Sequence, residues 1–275
     1  MTVFGASANV YDLLYADKDY AGEAEYVRGL LSAHGRVSCC LELGCGTGRH
    51  AVAMARGGLQ VHGVDRSSGM IEAAEMRRRQ LPPEIGAALT FSRGDVRSLD
   101  VGRTFDAVTA LFHVLSYQTT DEDVSHTLEA VRRHLKPGGL FFFDFWHAPA
   151  VLGEGPEARV KEVEDGSIHV RRAVTPDWER ANHCIAVNYD YTVTSKAIGE
   201  VSRFSETHRM RYFAVSEFTE WLARFGFALK GSFAWLSLAP PSDHHWNVCM
   251  LAVAKGSNGA CYSRCRVEGA MHDPR

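Results

Sequence analysis

The chain has 275 residues with 45% hydrophobic and 23% charged side chains, and a formal net charge of −3. This composition is ordinary for a globular protein, and the charge provides no broad basic surface for nucleic acid. No stretch approaches the roughly 18 apolar residues of a membrane span, and the N-terminus lacks the basic flank and apolar run of a signal peptide. We therefore expect a cytoplasmic protein that binds neither nucleic acid nor membranes, built as one main domain with an insertion.

Residues 1–35 predict helices ahead of the first strand. Within them, Tyr11 and Tyr15 are one helical turn apart and would face the same side. They are either ordinary packing aromatics or part of a lid over a ligand.

Residues 36–146 alternate apolar runs with helical patterns, which is typical of βαβ units and a parallel sheet. The predicted strands are 38–43, 60–65, 89–93, 105–111 and 140–146, and the predicted helices are 49–57, 67–79 and 121–135. The last of these helices should stop at a turn formed by residues 136–139. The continuous apolar run of 140–146 suits the interior of a sheet.

After residue 146, polar residues alternate with β-branched or aromatic ones, which predicts an antiparallel insertion over 147–213. Its strands are expected at 159–163, 168–174, 183–191 and 200–212, with a hairpin turn at 164–167. In 214–255, a helix at 216–225 and strands at 228–237 and 247–253 would complete the sheet, and 256–275 is expected to be a disordered tail. The predicted fold class is α/β: a Rossmann-like sheet with helices on both faces plus an antiparallel β insertion after the fifth strand.

The loop after the first predicted strand carries an acidic residue followed by three alternating glycines, Glu42, Gly44, Gly46 and Gly48. The dinucleotide-binding pattern is instead G-x-G-x-x-G, and position 49 here is arginine. A carboxylate within this turn would also repel a pyrophosphate at the helix N-terminus. The loop therefore favours a cationic or neutral ligand, and its glycines let the main chain run close beneath that ligand.

This motif resembles that of the class I S-adenosylmethionine-dependent methyltransferases, D/E-x-G-x-G-x-G. The resemblance implies S-adenosylmethionine as the cofactor. It also implies that Asp65 binds the ribose, unless it only caps the next helix, and that Asp95 binds the adenine, unless it is an ordinary turn residue. The cofactor contacts expected on these grounds are Tyr15, Glu42, Gly44, Cys45, Gly46, Gly48, Asp65, Asp95, Val96 and Leu111.

The resemblance extends to a narrower group of enzymes. The Y-D-x-x-Y segment at 11–15 is similar to the lid helix of glycine N-methyltransferases and amino-sugar N,N-dimethyltransferases. Segments 143–149 and 206–212 look like those of methyltransferases that act on sugars or sugar nucleotides. This likeness implies a small-molecule acceptor and a lid that excludes water from the cofactor.

The need for a base depends on the acceptor atom. An amine near its own pKa needs little more than positioning, whereas a sugar hydroxyl benefits from a base within hydrogen-bond reach. The candidate bases are His113, His147 and His208, each of which could instead be structural. His113 is the best placed of the three because it follows the fourth strand at its carboxyl end, where open α/β sheets gather ligands.

Two arginines near the end of the insertion are candidate anion-binding groups. Arg209 and Arg211 alternate with His208 and Met210, so the two pairs lie on opposite faces of a strand, of which only one can face the site. Arginines that face inward could bind a phosphate or carboxylate of the substrate, and Arg171 and Arg172 could add to such a site. The substrate contacts expected are Tyr11, Trp146, Arg209, Arg211 and His244.

We expect no metal. His244 and His245 lack a third ligand at a sensible spacing, and the seven cysteines contain no paired C-x-x-C spacing. Free thiols are therefore favoured over disulfides or zinc.

The function most favoured is N-methylation of an amino sugar or its nucleotide derivative. The alternative is an O-methyltransferase of a sugar or natural product with His113 as general base. A cofactor-binding protein without catalysis has little support, because every expected cofactor position is filled. Glu42 and the glycine spacing argue against an NAD-dependent reductase. The sequence leaves a homodimer open.

Overall fold

A strand that is apolar on both faces lies at the centre of the molecule. Its successive side chains alternate between faces, so Phe141 and Phe143 belong to one buried cluster whereas Phe142 belongs to the other. Helices must therefore cover both faces, as parallel sheets require. The computed structural model describes residues 7–256. The predicted tail falls outside the described residues, except for Gly256.

Within this range most strands are separated by helices until residue 147, although no helix lies between residues 93 and 105. The strands are β1 Cys39–Leu43, β2 Gln60–Asp65, β3 Leu89–Arg93, β4 Phe105–Ala110, β5 Leu135–His147, β6 Arg159–Glu164, β7 Ile168–Glu179, β8 Cys184–Ser195, β9 Val201–Phe213, β10 Phe227–Ala234 and β11 Asn247–Ala254. The α-helices are α1 Ala8–Leu14, α2 Tyr20–His34, α3 Arg49–Arg56, α4 Ser68–Arg79, α5 Pro83–Ala87, α6 Asp121–His134, α7 Ala148–Glu154 and α8 Val215–Arg224. Short 3-10 helices cover Val114–Tyr117 and Arg180–Asn182.

The strands form a parallel region and an antiparallel region. The first five are parallel in the order β3-β2-β1-β4-β5, and β11 pairs antiparallel with both β5 and β10. The antiparallel run β9-β8-β7-β6 joins the end of β5, where Trp146 pairs with Tyr212 and His147 with Phe213. The predicted fold class is confirmed, including the antiparallel strands that follow the fifth strand.

Side-chain caps begin three of the helices. Asp19, Ser67 and Thr120 each accept a hydrogen bond from the backbone N–H three residues further along the chain, at the starts of α2, α4 and α6. These caps satisfy N–H groups that have no partner within the helix. These short polar side chains therefore stabilise the three helix starts, of which the sequence predicted the cap at Ser67.

Three local features differ from the sequence predictions. β5 begins at Leu135, which pairs with Phe105 before the register shifts and Leu140 pairs with Ala107. The predicted turn at 136–139 is thus an irregularity within the strand. Helices α5 and α7 were not predicted, and both carry proline in their first turn. β7 continues past residue 174 because it pairs with β8 along its whole length.

The two N-terminal helices have different surroundings. Val27 and Leu31 of α2 are buried in the same cluster as Ala51 and Met54 of α3, so α2 is a layer of the sheet core. In contrast, α1 packs against α4 and β6, at the junction of the two strand regions. We therefore restrict the lid interpretation to α1.

Candidate active site

A cavity of about 810 Å³ is lined by the carboxyl ends of the parallel strands, by α1 and by one face of the β7–β9 strands. Its volume lies within the range of about 300–1,000 Å³ that is typical of small-molecule sites. Ligands of open α/β sheets bind at these strand ends. The structure brings twelve sequence-predicted site residues to this cavity: Tyr11, Tyr15, Gly44, Cys45, Gly46, Asp65, Asp95, Val96, Leu111, His113, Trp146 and His208.

The three glycines of the loop after β1 have positive φ angles of +61° at Gly44, +53° at Gly46 and +76° at Gly48. A Cβ at Gly44 would lie 2.5 Å from Val114, and one at Gly48 would lie 2.9 Å from Phe91. A Cβ at Gly46 would meet nothing within 4 Å. The outer glycines are therefore needed for packing, whereas Gly46 leaves open space on the cavity side.

Asp65, at the end of β2, connects this loop to the next helix. Its side chain is 8% exposed and accepts the N–H of Gly46 at 3.0 Å and that of Ser67 at 2.9 Å. Burial raises the pKa of this carboxyl. Asp65 therefore supports the start of α4 and also lines the cavity, so its expected ribose contact stays a prediction.

Glu42 lies in β1 and does not line the cavity. It is 1% exposed, and its Oε2 has no hydrogen-bond partner in the part of the chain that the structure describes. Burial, and then the charge of Asp65, raise its pKa to about 8. His50 lies on the other side, with Nδ1 3.9 Å from Glu42 and Nε2 2.7 Å from Glu23. Two carboxyl groups thus share the region around the glycine loop.

Asp95 and Val96 line the cavity after β3, but the Asp95 carboxylate is already engaged. Its Oδ1 accepts from Nε of Arg97 at 2.9 Å and its Oδ2 from Nη2 at 2.6 Å. Arg97 also donates to Asp123 at 2.7 Å. The hydrogen bonds to Arg97 lower the pKa of Asp95, so this carboxylate is fixed in place and ionised. Sequence reasoning did not identify Arg97.

The S-adenosylmethionine that the motif implies fits this surface on three observations. Gly46 leaves the loop open, the buried carboxylate of Asp65 lines the cavity beside it, and the acidic Glu42 lies in the adjoining strand. A cationic ligand would stabilise the ionised form of the buried Asp65 carboxyl, whose pKa is raised by burial.

His113 follows β4 in an unusual backbone conformation. Phe112 and His113 have φ angles of +65° and +67°, which cost about 1–3 kcal/mol each in residues other than glycine. The His113 N–H donates to Oδ1 of Asp144 at 3.1 Å, and its Nδ1 lies 3.0 Å from Oδ2. The ring contact lacks hydrogen-bond alignment, so it is a close polar contact and not a hydrogen bond. Asp144 is fully buried and holds His113 at the cavity.

His208 belongs to a second buried polar network that reaches α1. Its Nε2 lies 3.2 Å from Oε2 of Glu206, and its Nδ1 lies 2.9 Å from the hydroxyl of Tyr117. The Ser7 hydroxyl donates to Glu206 at 2.7 Å. Burial would raise the pKa of Glu206, but hydrogen bonds from His208 and Ser7 outweigh it and hold the pKa at about 2. Both His208 ring nitrogens are engaged, which makes His113 the better candidate base.

Six predicted site residues lie outside the cavity: Glu42, described above, Gly48, and four more whose expected roles we correct here. His208 and Met210 occupy the inner face of β9, so the alternating arginines face outward. Arg209 pairs with a carboxylate on β7 at 2.9 Å, and Arg211 bridges acidic residues of α6 and α8. The residues concerned are His147, Arg209, Arg211 and His244.

The two histidines are excluded for different reasons. His147 is 5% exposed, and its N–H donates to the carbonyl of Trp246 at 2.9 Å at the end of β5. The His244 side chain is 86% exposed, with a single weak contact of 3.5 Å to Glu154. Gly48 also lies away from the cavity, where it packs against Phe91.

The cavity lining also includes Tyr117, Tyr189 and Tyr191, which the sequence reasoning did not assign, and Arg172, which it named only as a possible addition to an anion site. Asp144 and Glu206 lie behind this lining. Asp144 carried a usable signal, since it is a lone carboxylate within an apolar strand. For the tyrosines, the only sequence signal was the period-two alternation of a strand. This alternation does not show which face of the strand lines the cavity.

Two features are absent from residues 7–256. No group of three or more histidine, cysteine or acidic side chains could hold a metal ion within that range. No helix there is long and apolar enough to cross a membrane. The five cysteines of this range are free thiols.

Comparison with known proteins agrees with the geometry. A model of the methyltransferase domain family matches residues 40–139, which contain the glycine loop. The dTDP-3-amino-3,4,6-trideoxy-α-D-glucopyranose N,N-dimethyltransferase of Streptomyces venezuelae is 29% identical over 214 residues, 77% of this chain and 85% of the relative. The dTDP-3-amino-3,6-dideoxy-α-D-glucopyranose N,N-dimethyltransferase of Streptomyces fradiae is 27% identical over 78% of this chain and 80% of its own.

A solved structure shares the fold. The S-adenosylmethionine-dependent methyltransferase of Clostridium acetobutylicum superposes with a TM-score of 0.76 at 20% identity, covering 93% of this chain and all of that one. The strand order, the glycine loop and these relatives all indicate a methyltransferase. The chain carries a methyltransferase domain over residues 40–139 and has the fold of class I S-adenosylmethionine-dependent methyltransferases, and it is an enzyme with S-adenosylmethionine as its cofactor.

Proposed function

We propose that this enzyme methylates the amine of a small amino sugar, free or linked to a nucleotide. The observation that carries the proposal is the likeness, over more than three quarters of the chain, to enzymes named as N,N-dimethyltransferases of dTDP-linked amino sugars. The cavity supports it, because its volume suits a small molecule and its acceptor side is lined by aromatic rings and hydroxyls.

The chain's own residues bind and orient the reactants. S-adenosylmethionine, when bound, supplies an electrophilic methyl group on a positively charged sulfur. The open loop at Gly46 and the carboxylate of Asp65 would hold it at the carboxyl ends of the strands. Helix α1 would cover this region and exclude water, with Tyr11 and Tyr15 facing the cavity. An amine acceptor then needs mainly alignment, which supplies much of the rate.

The second candidate is O-methylation, and the His113–Asp144 pair favours it. A sugar hydroxyl is weakly acidic, so a base within reach would assist its deprotonation. The buried Asp144 carboxylate would stabilise the imidazolium that forms on His113. In an N-methyltransferase the amine needs no base for its attack, so this pair would not be required for the methyl-transfer step.

Paired acceptors distinguish these candidates. The substrates are dTDP-3-amino-3,4,6-trideoxy-α-D-glucopyranose and the same nucleotide sugar with a hydroxyl in place of the amine, and methylated product is counted by mass spectrometry. We expect turnover of the amine, with little change in kcat for the His113→Ala variant. Turnover of the hydroxyl sugar alone, abolished by His113→Ala, would replace N-methylation with the O-methylation candidate.

A further inference from the structure

Arg172 is a buried cation without a carboxylate partner. It is 6% exposed and lines the cavity from the inner face of β7. Its Nη1 donates to the hydroxyl of Tyr15 at 3.0 Å, and no carboxylate of residues 7–256 forms an ion pair with it. Its Nε has no hydrogen-bond partner in this range. A buried charge without a counter-charge is costly, so the cavity lacks a group that this guanidinium requires.

The edge of the guanidinium that does not contact Tyr15 has the geometry to bind an oxyanion. The bond from Nη1 to Tyr15 leaves the edge formed by Nε and Nη2, which can donate two parallel hydrogen bonds to a phosphate or carboxylate. The rings of Tyr15 and Tyr189 each lie 5.4 Å from the guanidinium carbon, within cation–π distance. Aromatic faces stabilise the cation only in part and accept no bidentate bond.

The position of Arg172 places such a group beside the acceptor. The ring of Tyr15 contacts that of Phe112 edge-on at 5.3 Å, and Phe112 precedes the candidate base His113. On the other side, Tyr189 packs against His208 at 4.8 Å. Arg172 therefore belongs to the wall that faces the acceptor, between the lid helix and the antiparallel strands.

We propose that Arg172 and Tyr15 form an oxyanion subsite that binds a phosphate or carboxylate group of the acceptor. This inference rests on the proposed function, because it assigns the subsite to the molecule that receives the methyl group. The subsite would favour acceptors that carry an acidic group over other small amines that fit the cavity. The bidentate geometry explains why arginine, rather than lysine, occupies this position.

The neighbouring arginine provides a matched control. Arg171 lies on the opposite face of β7, where its side chain is 48% exposed and pairs with Glu162 at 3.3 Å. Arg171→Gln and Arg172→Gln make the same chemical change one residue apart. Both variants are first titrated with S-adenosylhomocysteine, and an affinity equal to that of the wild type shows that the cofactor region is intact.

The test measures the rise in Tm with increasing inorganic pyrophosphate or acetate, at constant ionic strength and with S-adenosylhomocysteine present. We expect at least one anion to stabilise the wild type and Arg171→Gln, and Arg172→Gln to require about 10- to 100-fold more of it. A stronger response to pyrophosphate identifies a phosphate-bearing acceptor, and a stronger response to acetate identifies a carboxylate.

Equal anion responses of Arg172→Gln and the wild type would overturn the proposal, as would the absence of any response in the wild type. Loss of S-adenosylhomocysteine binding in Arg172→Gln would also overturn it, because the arginine would then serve the cofactor region. The amine assay above is independent of this result. Arg172-dependent anion binding without amine turnover would contradict the proposed function and leave the subsite in place.

Discussion

At the scale of single residues, buried carboxylates within apolar strands hold the candidate chemistry in place. Asp144 lies in the all-aromatic part of β5 and contacts both the backbone and the ring of His113. Glu42 occupies the corresponding interior of β1, next to the glycine loop. A fully buried acid is expensive unless it serves a partner or a ligand.

The Asp144→Asn variant tests whether His113 acts as a base. Asparagine retains an oxygen that can accept the His113 N–H but removes the charge that stabilises an imidazolium. For a hydroxyl acceptor, we expect kcat to fall by about 10²- to 10⁴-fold, whereas an amine acceptor should show little change. Steady-state kinetics with both acceptors measure this. An equally large loss with the amine would show that the pair also matters for alignment.

Glu42 makes stability fall with rising pH. Its folded-state pKa of about 8 exceeds the ordinary value of 4.5, so the folded protein retains a proton that the unfolded chain loses. Between these values, the free energy of unfolding decreases by about 1.4 kcal/mol per pH unit through this group. Glu42→Gln removes that loss. Urea unfolding should therefore show an advantage of the variant over the wild type that grows from pH 5 to pH 8. Parallel stabilities across this range would contradict the assigned pKa.

At the scale of elements, the glycine loop contains one position, Gly46, at which binding can be tested separately from packing. Gly46 and Gly58 both have positive φ, at +53° and +93°, and a Cβ at either would meet no atom within 4 Å. Alanine should strain both positions by about 1 kcal/mol. Because only Gly46 lines the cavity, we expect Gly46→Ala to weaken S-adenosylhomocysteine binding about tenfold or more, and Gly58→Ala to leave it unchanged. Calorimetric titration measures both affinities. Equal affinities of the two variants for S-adenosylhomocysteine would show that the loop does not contact the cofactor.

Helix α1 is attached to the antiparallel strands through Ser7 and Glu206. Ser7→Ala removes the 2.7 Å hydrogen bond from the hydroxyl to a buried carboxylate, which should cost about 1–3 kcal/mol. We expect faster hydrogen exchange across α1 and faster release of S-adenosylhomocysteine. The control is Ser32→Ala, because the Ser32 hydroxyl donates to a carbonyl within an exposed part of α2. Unchanged exchange in α1 would show that other contacts hold the lid.

The sequence predicted the elements more completely than the contacts between them. Strands, helices and their order follow from hydrophobic periodicity, which is a local property. The pairing of Ser7 with Glu206 spans 199 positions, and that of His113 with Asp144 spans 31, so neither has a local signature. The alternation in β9 showed that arginines and His208 face opposite ways, but only the packed fold determined which side lines the cavity.

At the scale of the whole molecule, the two strand regions have separate roles in the proposed reaction. The parallel region carries the glycine loop and the residues expected to bind the cofactor, and it has the architecture shared with other methyltransferases. The antiparallel strands supply Arg172, Tyr189 and His208 on the acceptor side. The motif therefore identified the family and the cofactor. The identity of the acceptor depends on side chains of the antiparallel strands, and their sequence pattern matches no family motif.

The most direct measurement is calorimetric titration of S-adenosylhomocysteine into the wild type, Asp65→Asn and Asp106→Asn. Asp106 is the control, since it accepts backbone N–H groups of Ser38 and Cys39 at the opposite end of the sheet. If the cavity binds the cofactor, the wild type and Asp106→Asn will bind it equally, and Asp65→Asn will bind it about tenfold or more weakly. Equal affinity in all three proteins would contradict the assignment of this cavity as the active site.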